Sequence, residues 1–239
     1  MKQLTILLLT LFVTTISFSQ TITGSELLEK AIQYHDPEGN WESFKGTLFI
    51  TMETPNKPNR DSEIKINLPE QYFFVKATQG GKVTEYAVHK GDCSIAFNGN
   101  TNPSEELIKK HRLTCERAKM YKNYYTYLYG MPMKLKDPGT IIDQQVNLDK
   151  FMGEMYLTLR VTYKKEVGED TWYFYFNQEN YALEAYQFYH DESKLDGEYI
   201  LLTGIETING IKIPKKRDWY YNKNQQYLGT DLLKKKEEK

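Results

Sequence analysis

The chain has 239 residues with 31 basic and 32 acidic side chains, a balance that leaves no global field to draw it to nucleic acid or to an anionic membrane. That length suits one large or two small domains with a sizeable core, and one domain over residues 21–239 is expected. The compositional oddity is 19 tyrosines. A tyrosine ring packs while its hydroxyl reaches water, so the composition predicts pleated strands with one face toward solvent or a ligand.

Residues 1–20 read as an export signal, with Lys2, an apolar run from Leu4 to Val13, and the small and polar ending Ser17-Phe18-Ser19-Gln20. The run is about half of what a bilayer-spanning helix needs. No cysteine follows it to accept a lipid. Cleavage near Gln20 and release into the periplasm or the medium is therefore expected over an uncleaved anchor.

Thr23 stands three residues ahead of Glu26, a capping-box spacing, and Leu27, Leu28, Ala31 and Ile32 then recur on one helical face. The helix should stop near Asp36, because Pro37 disfavours helical geometry in the residue before it. Trp41 to Glu53 reads as a strand, followed by Ser62 to Leu68 and Gln71 to Gln79. Gly80-Gly81 then turns the chain into Lys82 to His89, since paired glycines tolerate positive φ. Cys93 to Phe97 is a further short strand. Asn102-Pro103-Ser104-Glu105 starts a second helix that runs, with a break, toward Leu128 and is ended by Gly130 and Pro132.

In the second half, Met155, Leu157, Leu159, Val161 and Tyr163 alternate with Tyr156, Thr158, Arg160 and Thr162, the pattern of one buried and one wetter face. Trp172 to Phe176, Tyr181 to His190, Glu198 to Thr207, Ile211 to Tyr221 and Gln226 to Leu233 continue a meander, with Asn209-Gly210 as a tight turn. The expected fold class is α+β, mostly β. It consists of roughly nine to eleven antiparallel strands, too many for a flat sheet, curling into an incomplete barrel with helices on its concave face.

Tyr121, Tyr124, Tyr125 and Leu128 share one helical face, and Met131 and Met133 extend an adaptable apolar surface beyond it. Such a face either lines a greasy pocket or plugs a curved sheet as core. Cys93 and Cys115 admit one disulfide or two separately buried thiols, and neither has metal-ligand spacing. His35-Asp36 and His190-Asp191-Glu192 are the His and carboxylate clusters. They read as a helix end steadied by an imidazole and as a polar turn, so no metal is expected. Cys93 or Cys115 with His111 would be the nucleophile and base of a hydrolase. No nucleophile elbow and no phosphate-cradling glycine loop accompanies them, so no catalytic residue and no cofactor is assigned.

The run Gly204-Ile205-Glu206-Thr207-Ile208-Asn209-Gly210-Ile211-Lys212-Ile213-Pro214-Lys215-Lys216-Arg217 resembles the late hairpin of the outer-membrane lipoprotein-sorting proteins, the LolA, LolB and LppX group. The alternating strand Met155 to Tyr163 followed by Asp170-Thr171-Trp172-Tyr173-Phe174 is similar to that group's middle section. More narrowly, Tyr34-His35-Asp36-Pro37 and the segment from Tyr127 to Gly139 resemble an uncharacterised family of exported envelope proteins from Gram-negative bacteria. The resemblance implies an incomplete barrel closed by helices around a hydrophobic cavity that receives acyl chains. The narrower family implies no known activity. The leading expectation is a periplasmic, non-enzymatic binding protein, a carrier or sensor of a lipid, acylated or other amphipathic ligand, with a link to lipoprotein or lipid trafficking and to other envelope proteins. The candidate cavity lining is Trp41, Phe44, Phe73, Tyr124, Leu128, Met131, Trp172 and Phe174. The alternatives are an interaction or scaffold domain with a filled core and, behind it, a hydrolase using His111 or His190.

Overall fold

The computed structural model describes residues 22–234; the segment read as an export signal lies outside the described residues. Helix α1 (Gly24–His35) is followed by five strands, β1 (Lys45–Glu53), β2 (Arg60–Asn67), β3 (Tyr72–Gln79), β4 (Lys82–His89) and β5 (Asp92–Phe97). Helices α2 (Glu105–His111) and α3 (Cys115–Tyr129) come next. The remaining strands are β6 (Thr140–Ile142), β7 (Asn147–Phe151), β8 (Glu154–Tyr163), β9 (Thr171–Phe176), β10 (Leu183–Tyr189), β11 (Glu198–Ile208), β12 (Ile211–Tyr221) and β13 (Tyr227–Lys234).

All thirteen strands form one antiparallel sheet in the order β5-β4-β3-β2-β1-β13-β12-β11-β10-β9-β8-β6, with β7 also on β8. The sheet curls without closing, and helices pack on its concave face, as the period-two pattern requires once one face is largely apolar. That face carries Leu48, Ile64, Ile66, Phe73, Val75, Leu159, Val161, Phe174 and Ile200, each at most 1% exposed. Two strands exceed expectation. β6 has three residues, and β7 is exposed at four of its five positions, so neither shows the alternation by which a half-buried strand is read.

Local chemistry sets the element ends. Thr23 and Glu26 form the reciprocal capping box of α1. Asn209 (φ 51°) and Gly210 (φ 80°) make the β11–β12 turn with both central residues left-handed, as a two-residue hairpin matching the strand twist needs. α2 is capped by Ser104 rather than by Asn102, and α3 by Thr114. Gly130 does cap α3, although its φ is −95°; it is glycine because a Cβ there would lie 2.2 Å from the Trp41 indole. Trp41 and Phe44 precede β1 instead of belonging to it. The Asp36 carboxylate accepts from the backbone N–H of Asn40 and Trp41, both at 2.8 Å, and folds the segment into turns.

His35 joins α1 to the sheet. It is fully buried, with Nδ1 2.6 Å from the Lys212 carbonyl and Nε2 accepting from the Leu183 N–H at 2.9 Å. That pair of partners needs the neutral ring with its proton on Nδ1, so His35 acts as a two-way hydrogen-bond link between β10 and β12 and not as a cation at a helix end. Burial pushes its pKa down to about 4 from an ordinary 6.5. The folded state refuses a proton that the unfolded chain accepts. Stability is therefore full above about pH 6.5 and falls by on the order of 3 kcal/mol as the pH drops toward about 4. Urea titrations across that window should show this slope in the wild type and its loss in His35→Gln, which should also be less stable at neutral pH.

Candidate functional site in the roofed interior

α3 lies across the concave face with its N-terminus fastened: Cys115, its first residue, is disulfide-bonded to Cys93 of β5, with Cα atoms 5.8 Å apart. As a disulfide neither sulfur is a nucleophile, and the nearby His111 stacks on Phe97 at 4.4 Å. The helix presents tyrosines to the sheet. Tyr125 stacks over Phe73 at 6.3 Å, Tyr124 over Trp219 at 6.2 Å, and Tyr121 tilts on Tyr86 at 5.5 Å. Dense aromatic packing of this kind contributes roughly 0.5–1.5 kcal/mol per pair beyond the area buried.

Beneath the roof the apolar face is interrupted by a row of charge. Arg60 on β2 pairs with Met52 on β1, Met52 with Asp231 on β13, and Asp231 with Arg217 on β12. Asp231 is 0% and Arg217 1% exposed. The roof supplies partners from above: Tyr124 donates to Asp231 Oδ2 at 3.3 Å, and Arg60 Nη2 donates to the Tyr125 hydroxyl at 3.2 Å. Arg217 sits 3.8 Å over the Tyr129 ring and donates to the carbonyls of Pro214 (2.8 Å) and Leu128 (3.3 Å). Burial pushes the Asp231 carboxyl up, and the charges of Arg60 and Arg217 together with the Tyr124 hydroxyl oppose it. Burial likewise lifts the hydroxyls of Tyr124 and Tyr129 well above the usual tyrosine range. They stay protonated donors at any physiological pH. Arg60 Nε, Arg217 Nε, Tyr129 Oη, Tyr186 Oη and Asp231 Oδ1 are buried without a partner in hydrogen-bonding geometry. This polar knot is incompletely satisfied at a depth where each such atom is costly.

Beside the knot, α3 and the β8–β9 end of the sheet leave a cleft of about 410 Å³. Tyr124, Tyr127, Tyr163 and Trp172 line it, with Lys134, Asp137 and Gly168 at its walls. Tyr127 packs edge-on against Trp172 at 5.4 Å and is hydrogen-bonded to the Tyr163 hydroxyl, whose pKa burial pushes up to about 12. Lys134 and Asp137 form an ion pair.

Of the eight residues expected to line a cavity, Tyr124 and Trp172 meet at this cleft. Trp41, Phe44, Phe73, Leu128, Met131 and Phe174 belong to the packed core, at 6% exposure or less. His190 pairs with Asp170 at 2.7 Å on the surface, and among the described residues no cluster of His, Cys, Asp and Glu is arranged to hold a metal. The charged row escaped the sequence reading, though a signal exists. Arg217 has the parity of Ile211, Ile213 and Trp219, and Asp231 that of Leu233, so each charge occupies an apolar-face position.

Removing one member of such a row should hurt more than removing two. Arg217→Met alone should cost roughly 3–5 kcal/mol by leaving Asp231 undercompensated, whereas Arg217→Met with Asp231→Leu should recover much of that loss. A double-mutant cycle by chemical denaturation measures it.

The architecture has solved counterparts. It is similar to a LolA superfamily protein from Nitrosomonas europaea, with TM-score 0.53 and 13% identity over 90% of this chain and 92% of that one. It is also similar to a DUF1329 family protein from Desulfovibrio piger, with TM-score 0.50 and 8% identity over 90% and 92% of the two chains. At such identities the likeness concerns the fold, a LolA-like open sheet. No curated protein sequence matches this one. Residues 2–235 match the DUF6503 family, a family of unknown function, and the chain belongs to it.

Proposed function

We propose that this protein is an exported, non-enzymatic carrier that holds an acyl chain or other amphipathic ligand between α3 and the concave sheet, entering by the Tyr124–Trp172 cleft. The observation that carries the reading is the union of an aromatic cleft with a buried, incompletely satisfied polar knot, joined by Tyr124, which lines the cleft and donates to Asp231. An amphipathic molecule matches both halves. Its hydrocarbon lies along Tyr127 and Trp172, and its polar end meets tyrosine donors and, deeper, Arg217 and Arg60. Roughly twelve methylenes leaving water supply on the order of 10 kcal/mol at ~0.8 kcal/mol each, enough to exceed the cost of association. The LolA-like fold agrees with a carrier, and the export signal read in residues 1–20 agrees with a periplasmic station.

A second reading, an interaction or scaffold domain, is favoured by the tight packing of Phe44, Phe73 and Phe174, each 2% exposed or less. Gly168 separates the two. A Cβ at Gly168 would meet the Tyr163 ring at an ordinary 3.8 Å, so Gly168→Trp should fill the cleft without disturbing the fold. A fluorescent fatty acid should bind the wild type and bind Gly168→Trp at least about tenfold more weakly, and native mass spectrometry of gently purified protein should reveal an extractable lipid. Clean apo protein together with no probe binding leaves the scaffold reading in place.

A further inference from the structure

The sheet's outward face carries a second feature, remote from the roofed interior. The alternation that sends Trp172 and Phe174 inward sends Tyr173 and Tyr175 outward, and the strand register sets Gln187 beside Tyr173, Tyr199 beside Gln187 and Tyr220 beside Tyr199. Phe151, the last residue of β7, stacks on Tyr175 at 4.1 Å and meets Tyr199 edge-on at 5.6 Å; Tyr199 in turn stacks on Tyr220 at 5.0 Å. An aromatic ladder thus crosses the outside of the sheet. At its edge a cup of about 490 Å³ opens over Tyr173, Tyr175 and Tyr189, rimmed by Asp149, Lys150, Gln187 and Glu192.

Two polar side chains of the cup, Gln187 and Glu192, are held in place. Tyr175 donates to Gln187 Oε1 at 2.9 Å, and Gln187 Nε2 donates to Asn222 Oδ1 at 3.0 Å. Tyr173 donates to Glu192 Oε1 at 2.5 Å, and Arg160 stands 3.8 Å from the other oxygen of that carboxylate. Tyrosine faces are therefore fixed beside an ordered amide and an ordered carboxylate, with Asp149 and Lys150 on the rim.

We infer that this cup binds a neutral oligosaccharide. The C–H face of a pyranose covers a tyrosine ring, while its hydroxyls replace, group for group, the water on Asp149, Lys150, Gln187 and Glu192. Other occupants fit worse. Nucleic acid and anionic lipid meet the carboxylates of Asp149 and Glu192 with like charge. An acyl chain or an apolar protein surface would dehydrate those rim groups without replacing their hydrogen bonds. The site is independent of the carrier proposal, since it lies on the opposite face of the sheet.

The test uses the described chain with cellohexaose, maltohexaose and chitohexaose as probes, read by calorimetry and by backbone amide shifts in NMR. At least one should bind saturably and perturb residues of β9 and β10 around Tyr173 and Tyr189. Tyr173→Ala and Tyr189→Ala should each weaken it by roughly tenfold or more while leaving fatty-acid probe binding as in the wild type. The inference is overturned if none of the three binds up to about 10 mM, a free energy of association under about 3 kcal/mol. It is equally overturned if the shifts map elsewhere on the wild type, a readout that does not depend on the variants folding, or if anionic vesicles bind the cup in place of the sugars.

Discussion

The first and last strands of the sheet pair with each other, Phe49 to Glu53 against Thr230 to Lys234, and everything else hangs on that seam. β1 through β5 form one meander and β8 through β13 another; without the seam they are two open ribbons, each with an apolar face exposed. Joining them brings together residues about 180 positions apart, a loop-closure cost that grows only slowly with length but falls due before the reward of packing. The row of charge runs across this same seam, with Met52 standing between Arg60 and Asp231. Register at the junction is consequently doubly specified. A slip by one residue there would set Met52 opposite Thr230 or Leu232, turn the apolar faces of the two meanders to opposite sides of the sheet, and separate Arg60 from the Asp231–Arg217 pair.

The interior thereby combines two demands. An apolar concave face needs a cover, and α3 provides one through tyrosines instead of aliphatic side chains. That choice is consistent with the buried charges below, because a phenol can fill volume and still donate a hydrogen bond. Aliphatic residues at Tyr124 and Tyr125 would pack as well and leave Asp231 and Arg60 with fewer partners. The tyrosine excess is accordingly divided between two faces of the sheet, one buried with the roof and one outside.

Much of the architecture is legible in the sequence because it is written in local chemistry. The Thr23–Glu26 capping box, the Gly80-Gly81 and Asn209-Gly210 turns and the alternation of β8 each act within a few residues, and each element appears where its signal stands. β6 and β7 are not legible, because a three-residue strand and a strand exposed at nearly every position bury too little to impose a pattern. Trp41 and Phe44 were displaced from β1 by the Asp36 carboxylate, whose capture of two backbone amides a propensity argument does not weigh. The candidate site was half legible. Aromatic spacing on α3 points to the roof, whereas the charges below it show in the sequence only as the apolar-face parity of Arg217 and Asp231, and strand register is what brings them and Arg60 into one row.

The covalent bond between Cys93 and Cys115 spans 22 positions and attaches the cover at one end only. Its other end, near Gly130, is held by noncovalent packing against Trp41 and by the Leu128 carbonyl on Arg217. The sulfur bond thus does for the half-exposed start of the roof what burial does for its end, where Tyr125, Leu128 and Tyr129 are each at most 4% exposed: the helix is moored at both ends, once by a covalent link and once by packing.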